Sequence, residues 1–350
     1  MAKTNLLGYT ANQLQELMSS LGDKAYRGRQ LFKWLYKTRQ YDFNLMTNLS
    51  KDIREKLNNA YDFKGLNLIE SVLSIDGTRK FLFQLEDGLP LESVLIPETE
   101  TRKTVCISSQ VGCALDCSFC ATGKMGLKRN LSVGEIIGQL IFLRDKYGED
   151  AFTNIVLMGM GEPLLNLENV VEAVKIISAV DGLSLSAKKI TISTSGITPK
   201  IKKLADLKIK AKLAVSLHAA TQEKREQIMP VAKTFGLKKL MEAIKYYTDK
   251  TKTRVTFEYI LFDSFNDSMD DVLALCKLIM GIPCKINILA YNPVAGLDYK
   301  RPSDEKLDWF GKQLYPRAPA VTIRKSRGRD IEAACGQLAA KQNIRSASNA

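Results

Sequence analysis

The chain has 350 residues, with 51 Lys and Arg against 38 Asp and Glu, a formal charge of +13, seven Cys and one His. A single imidazole excludes a His₃ or His₂-carboxylate metal centre, so side-chain metal binding must rest mainly on thiolates. An odd cysteine count argues against a secreted disulfide scaffold. Residues 1–10 lack the apolar core of a signal peptide and no run approaches about 18 apolar residues, so the sequence reads as a reduced cytoplasmic protein of about two domains with no membrane segment.

Residues 1–62 read as a small helical accessory domain. Leu14, Leu17, Met18 and Leu21 recur at helical spacing before Gly22, and Tyr26, Leu31, Phe32, Leu35 and Tyr36 form a second apolar face. Ser50 is an N-cap candidate for a third helix carrying Ile53 and Leu57. Ten basic residues against five acidic ones in residues 1–60 fit a nucleic-acid partner; a structural cap is the alternative.

Residues 63–100 contain a β-hairpin over 79–97 about Asp87-Gly88. From about 101 to 340, β-rich runs at 104–108, 154–158, 189–193, 212–217, 254–260, 285–290 and 321–324 alternate with helical stretches such as 133–147, 168–180, 237–250 and 269–280. That rhythm predicts an α/β fold with a parallel sheet, as a partial or open (β/α) barrel binding its ligands at the C-terminal strand ends. Residues 341–350 are expected to form a flexible tail.

Cys113, Cys117 and Cys120 form a C-x₃-C-x₂-C loop directly after the first barrel strand. Three thiolates so spaced can ligate three irons of a cubane and leave the fourth open to a small ligand. Structural zinc and unliganded buried thiols are the alternatives, and zinc ribbons ordinarily use two separated C-x₂-C pairs.

The C-x₃-C-x₂-C loop with Phe119 before its last Cys resembles that of radical S-adenosylmethionine (SAM) enzymes, which are built on partial (β/α)₆ barrels. Ser109-Gln-Val-Gly-Cys-Ala-Leu, Met158-Gly-Met-Gly-Glu-Pro-Leu-Leu-Asn, Ser193-Thr-Ser-Gly, Ser216-Leu-His-Ala, Pro283-Cys-Lys-Ile-Asn, Tyr291-Asn-Pro and Ala333-Ala-Cys-Gly-Gln-Leu resemble the RlmN family along essentially the whole chain. Its members methylate C2 of an adenosine in the peptidyl-transferase centre of 23S rRNA and of the adenosine 3′ to the anticodon in tRNA. The sister family Cfr, which methylates C8 of the same rRNA adenosine, shares most of these motifs. A non-enzymatic RNA-binding iron–sulfur redox sensor is a reading from a different class.

The resemblance implies a [4Fe–4S] cluster on Cys113, Cys117 and Cys120, and two SAM molecules consumed per methylation. It implies SAM contacts from Gly161, Glu162, Ser193, Ser216, Leu217, His218 and Asn292. It further implies a relay in which Cys335 carries the methyl group, Cys106 resolves the covalent RNA intermediate through a transient disulfide, and Glu92 accepts a proton. The N-terminal unit would resemble a helix-hairpin-helix, and the enzyme would act as a monomer served by a flavodoxin or ferredoxin. Cys276, in an apolar helix, and Cys284, at a strand start, read as inert thiols.

Overall fold

The computed structural model describes residues 3–340, so the tail expected at 341–350 lies outside the described residues. Short strand β1 (Thr4–Asn5) pairs in parallel with β2 (Tyr61–Asp62) and fastens the two ends of the helical unit. Between them lie α1 (Ala11–Ser20), α2 (Arg27–Lys33) and α3 (Lys51–Ala60). Helix α1 starts at a capping box in which Thr10 and Gln13 satisfy each other's backbone N–H, and it buries Leu14 and Met18. Ser50 accepts from Ile53 N at the start of α3, whose buried face is Ile53 and Leu57. Tyr26, expected on an apolar face, is instead half exposed at the N-cap of α2.

The central sheet has ten strands. Three antiparallel strands, β3 (Asn67–Leu73), β4 (Arg79–Gln84) and β5 (Pro90–Pro97), lead into β6 (Lys103–Cys106). The hairpin expected at 79–97 therefore has a third strand at its outer edge. Next comes the cysteine loop, closed by β7 (Gln110–Val111) pairing antiparallel with β8 (Arg129–Asn130), with the short helix α4 (Ala121–Lys124) between them.

Parallel strands follow: β9 (Asn154–Leu157), β10 (Ile190–Thr194), β11 (Lys212–Ser216), β12 (Val255–Leu261), β13 (Cys284–Ala290) and β14 (Val321–Arg324). With β6 they make seven parallel strands side by side in chain order. Helices α5 (Val133–Tyr147), α6 (Leu167–Ser178), α7 (Thr198–Asp206), α8 (Gln222–Ile228), α9 (Val231–Thr234), α10 (Leu237–Thr251), α11 (Met269–Leu278) and α12 (Asp304–Leu314) form the crossovers. Every residue of β12 is buried, as expected of a parallel strand covered on both faces. The sheet is open, with β14 and β3 as its two edges.

The helical unit docks on α5 by backbone contact. Gly8, at φ +97°, lies against Gly134, where a Cβ would strike the Leu7 carbonyl. Arg39 pairs with Asp145 at 2.7 Å and with Glu149, and the Tyr41 hydroxyl donates to Asp145 at 2.7 Å.

Candidate active site

Strand β6 ends at Cys106, and the chain then turns through the loop that carries Cys113, Cys117 and Cys120. All three thiols line a cavity of about 860 Å³ at the C-terminal strand ends. Burial pushes the Cys113 thiol up to about 12 and raises Cys117 and Cys120, and charge on the neighbouring thiols raises Cys117 further. Neutral thiols are thus the favoured form without a metal, and a bound cation reverses that preference. Among the described residues no three His, Cys, Asp or Glu side chains gather closely enough to hold one metal ion. A donor set of three thiolates, each holding its own iron, fits the loop better than a single shared ion.

Five of the seven expected SAM contacts share this cavity: Gly161, Glu162, Ser193, Ser216 and His218. Gly161 sits at φ +97°, and a Cβ there would fall 2.5 Å from that of Gln110, so the turn demands glycine. The buried Glu162 carboxylate accepts from Leu164 N at 3.0 Å and from Ser195 N at 2.7 Å. Burial raises its pKa while these hydrogen bonds oppose the rise. His218, in left-handed backbone at φ 58°, accepts from Ile260 N through Nδ1 at 3.1 Å. Burial, and then the nearby Arg225 charge, lower its pKa to about 3, so the imidazole is neutral. Leu217 is buried away from the cavity, and Asn292 belongs to the neighbouring cleft, where its Nδ2 donates to the Cys335 carbonyl at 3.3 Å.

That second cleft lies inside the curve of the sheet and holds Cys106. Its walls also carry Cys120, Met158, Glu258 and Cys335, residues that line the first cavity too. Cys335 therefore stands at the junction, with the cluster loop on one side and Cys106 on the other. The residue is hemmed in by protein, yet its side chain opens to the cleft. Burial raises its thiol, and the Arg324 guanidinium opposes that rise. Cys106 is fully enclosed and pushed up to about 12 by burial, with the Cys335 charge adding to the effect. Basic side chains Arg102, Lys212, Lys285, Lys325 and Arg327 edge the same cleft. Burial and then the charges of Arg102, Lys189 and Arg254 lower the Lys212 pKa, the mark of a crowded cationic rim.

Three anchors hold the loop that bears Cys335. Asp330 accepts from Ser74 Oγ at 2.5 Å and from Ile75 N at 3.1 Å, and Asp76 accepts from Gly328 N at 2.9 Å. Beyond the thiol, Gly336 O accepts from Ala121 N at 2.8 Å and Leu338 O accepts from Thr122 Oγ1 at 2.6 Å, which ties the loop to α4. The third anchor is Glu92. Its buried carboxylate pairs with Lys80 at 3.3 Å and accepts from Ala339 N and Ala340 N at 3.0 and 2.9 Å. Glu92 lines neither cavity and here acts as a clamp.

Sequence reasoning missed Asp76, Asp330 and the Glu258–Asn287 pair, whose Asn287 Nδ2 donates to Glu258 Oε1 at 2.9 Å. Asn287 lay within the quoted Pro283-Cys-Lys-Ile-Asn run, which was the signal available. Cys284 is buried as expected, and Cys276 is partly exposed.

Comparison with known proteins bears on both halves of the chain. Residues 4–62 match the ribosomal RNA large subunit methyltransferase N-terminal domain, and residues 107–276 match the radical SAM superfamily. The chain is 46% identical to a probable dual-specificity RNA methyltransferase RlmN of Cytophaga hutchinsonii, covering 95% of this chain and 92% of that one. It is 42% identical to the dual-specificity RNA methyltransferase RlmN of Campylobacter fetus, covering 97% and 99%. A crystal structure of a radical SAM methyltransferase from Sphaerobacter thermophilus superposes with a TM-score of 0.90 at 40% identity, covering 97% of this chain and all of that one. With full-length similarity of this degree, and with the cysteine loop, the strand-end residues and Cys335 gathered at one junction, the chain belongs to the RlmN family of radical SAM enzymes.

Proposed function

We propose that this chain is a radical SAM methyltransferase that methylates C2 of an adenosine in the peptidyl-transferase centre of 23S rRNA and of the adenosine 3′ to the anticodon in tRNA. The observation that carries the reading is the position of Cys335 on a wall common to both cavities. Adenine C2 is electron-poor and does not attack a sulfonium methyl group, so a relay is needed. In this reading the Cys335 thiolate takes the methyl group of one SAM: an S–C bond forms, the sulfonium C–S bond breaks, and S-adenosylhomocysteine leaves with the electron pair. Cys113, Cys117 and Cys120 would hold the cluster, which when bound would supply the electron for reductive cleavage of a second SAM and so the radical that activates the S-methyl group.

The remaining steps fall to the protein. Gly161 and Glu162 receive the amino end of SAM, with Ser193, Ser216 and neutral His218 lining its sides. Once the methylene carbon is bonded to C2, the adduct radical gives up one electron to an iron–sulfur acceptor. The Cys106 thiolate then attacks Cys335 Sγ: an S–S bond forms, the S–C bond breaks with its electron pair going to the methylene carbon, that carbon takes a proton to become the methyl group, and the C2 hydrogen is lost as a proton. A dithiol reductant then restores both cysteines. Glu92 reaches the base as proton acceptor only after Ala339 and Ala340 release its carboxylate. RNA phosphate meets the cationic rim of the cleft and the basic helical unit, and a flavodoxin or ferredoxin delivers electrons to the monomer.

The test is anaerobic reconstitution with SAM, reductant and an rRNA fragment, followed by mass analysis of the digested nucleosides. The expected product is 2-methyladenosine. Recovery of 8-methyladenosine, or of no methylated base from cluster-replete protein, overturns the reading.

A further inference from the structure

Arg225 is the largest fully buried side chain among the described residues. It lies in Gln222–Ile228, a run that reads in sequence as a solvated charged helix face, yet its guanidinium points inward. Nε donates to Leu217 O at 3.2 Å, and Nη2 donates to Ser195 O at 2.6 Å and Ser216 O at 3.3 Å. Nη1 is buried and has no hydrogen-bond partner. Leaving one face of a buried guanidinium unpaired is costly, and a charge of that kind ordinarily persists only beside an anion. Burial lowers the Arg225 pKa to about 10, and charge on Cys117, which a bound metal would favour, opposes that fall.

Independent contacts put the helix against the cysteine loop. The carbonyl of Ile228, one turn beyond Arg225, accepts from Ser118 N at 3.0 Å and from Ser118 Oγ at 3.3 Å. Arg225 does not line the cavity that holds the three thiols, so it stands behind Cys117 and is shielded from anything bound in front of it.

We propose that Arg225 is the built-in counter-cation of the cluster site, placed behind Cys117 to offset thiolate charge and to hold the reduction potential of the cluster up. The inference rests on the reading of Cys113, Cys117 and Cys120 as cluster ligands. Three thiolates make the site anionic, reduction adds one further negative charge, and a fixed cation in a low-dielectric wall favours the reduced form. Nearby partners tune a metal site in the same way when they lie outside its ligand set. Arg225 lines neither cavity and is a positioning residue. Its three carbonyl contacts also tie the ends of β10 and β11 to α8, so charge and geometry must be separated experimentally.

Two variants do this. Arg225→Gln removes the charge and keeps hydrogen-bonding capacity. Arg225→Lys keeps the charge but lacks the planar fork that reaches three carbonyls. Anaerobically reconstituted proteins are titrated without RNA, and the reduced cluster is counted by electron paramagnetic resonance at each applied potential. For R225Q the ratio of reduced to oxidised cluster at fixed potential should fall about tenfold, a midpoint about 59 mV lower for a one-electron couple. For R225K the midpoint should stay near that of the parent even though the melting temperature falls. An unchanged midpoint in R225Q, or an equal fall in both variants, overturns the proposal. If R225Q does not take up iron, R225K decides: a held midpoint in a less stable protein supports the inference, and a lowered one sinks it. Failure of the parent protein to bind a [4Fe–4S] cluster at all, seen in its iron and sulfide content, would instead refute the ligand assignment.

Discussion

Cys335 faces two cavities and Cys106 faces one, and this asymmetry orders their use. Of the two, only Cys335 lines the cavity proposed for SAM, so Cys335→Ala should abolish RNA methylation while leaving the visible absorbance of the cluster intact. Methylated RNA from that variant would end the relay mechanism. Cys106→Ala should act later: the methyl carbon reaches the base, resolution fails, and a covalent protein–RNA species accumulates. Denaturing gels of anaerobic reactions with labelled RNA would detect it, and free methylated RNA at the parent rate would refute the assignment. Glu162→Gln keeps the side-chain volume but loses the anionic acceptor for Leu164 N and Ser195 N. Hydrogen bonds to charged groups contribute about 1.5–3 kcal/mol each, so SAM affinity measured by calorimetry should fall at least tenfold.

At the scale of elements, the loop bearing Cys335 depends on carboxylate contacts with residues 74–76, far from it in sequence. Asp76 has its pKa lowered to about 2: burial alone would raise it, but hydrogen bonds from Thr78, Gly328 and Ser74 outweigh that. Asp330 is also lowered, chiefly by the Ser74 hydroxyl. A depressed carboxylate stabilises the docked loop fully above its ordinary value of 3.8 and loses that effect as pH falls toward 2. Proteolysis with pepsin should therefore leave the loop protected near pH 5 and cut it increasingly below about pH 4. Asp76→Asn should expose it to trypsin at neutral pH, and equal protection in that variant would show that the anchor is dispensable. The seven parallel strands are legible in the sequence because short runs rich in β-branched and apolar residues recur between helical stretches, as in Val-Thr-Phe-Glu-Tyr-Ile-Leu of β12. Strand β3 is not, because most of its residues are exposed or half-buried and its register shifts between Leu68 and Glu70. That the cysteine loop shares a cavity with strand-end residues such as Gly161, Glu162 and His218 is legible through spacing and motif. Leu217 and Asn292 take other positions because a motif specifies backbone neighbourhood and leaves side-chain direction open. Arg225 stays hidden because, in Gln-Glu-Lys-Arg-Glu-Gln-Ile, nothing separates one inward cation from its solvated neighbours.

For the whole molecule, the charge of +13 becomes a statement about place. Part of it rims the cleft that holds both relay thiols. If that rim meets phosphate, Lys212→Gln should flatten the dependence of log affinity on log salt by about 0.7–0.9, the share of one phosphate contact. SAM cleavage in the absence of RNA should be unaffected. An unaltered salt slope would move the RNA path elsewhere. The junction between the two units carries a separate consequence. Gly8 and Gly134 meet backbone to backbone, with Arg39 and Tyr41 bolted to α5 alongside, so there is no hinge at this seam. Whatever surface of an RNA rests on the helical unit is held at a constant span from Cys335. If RNA rests there as proposed, the unit would work as a ruler: two RNAs of unrelated overall shape would qualify alike if each offers an adenosine at that one distance, and an otherwise perfect loop of the wrong reach would be refused.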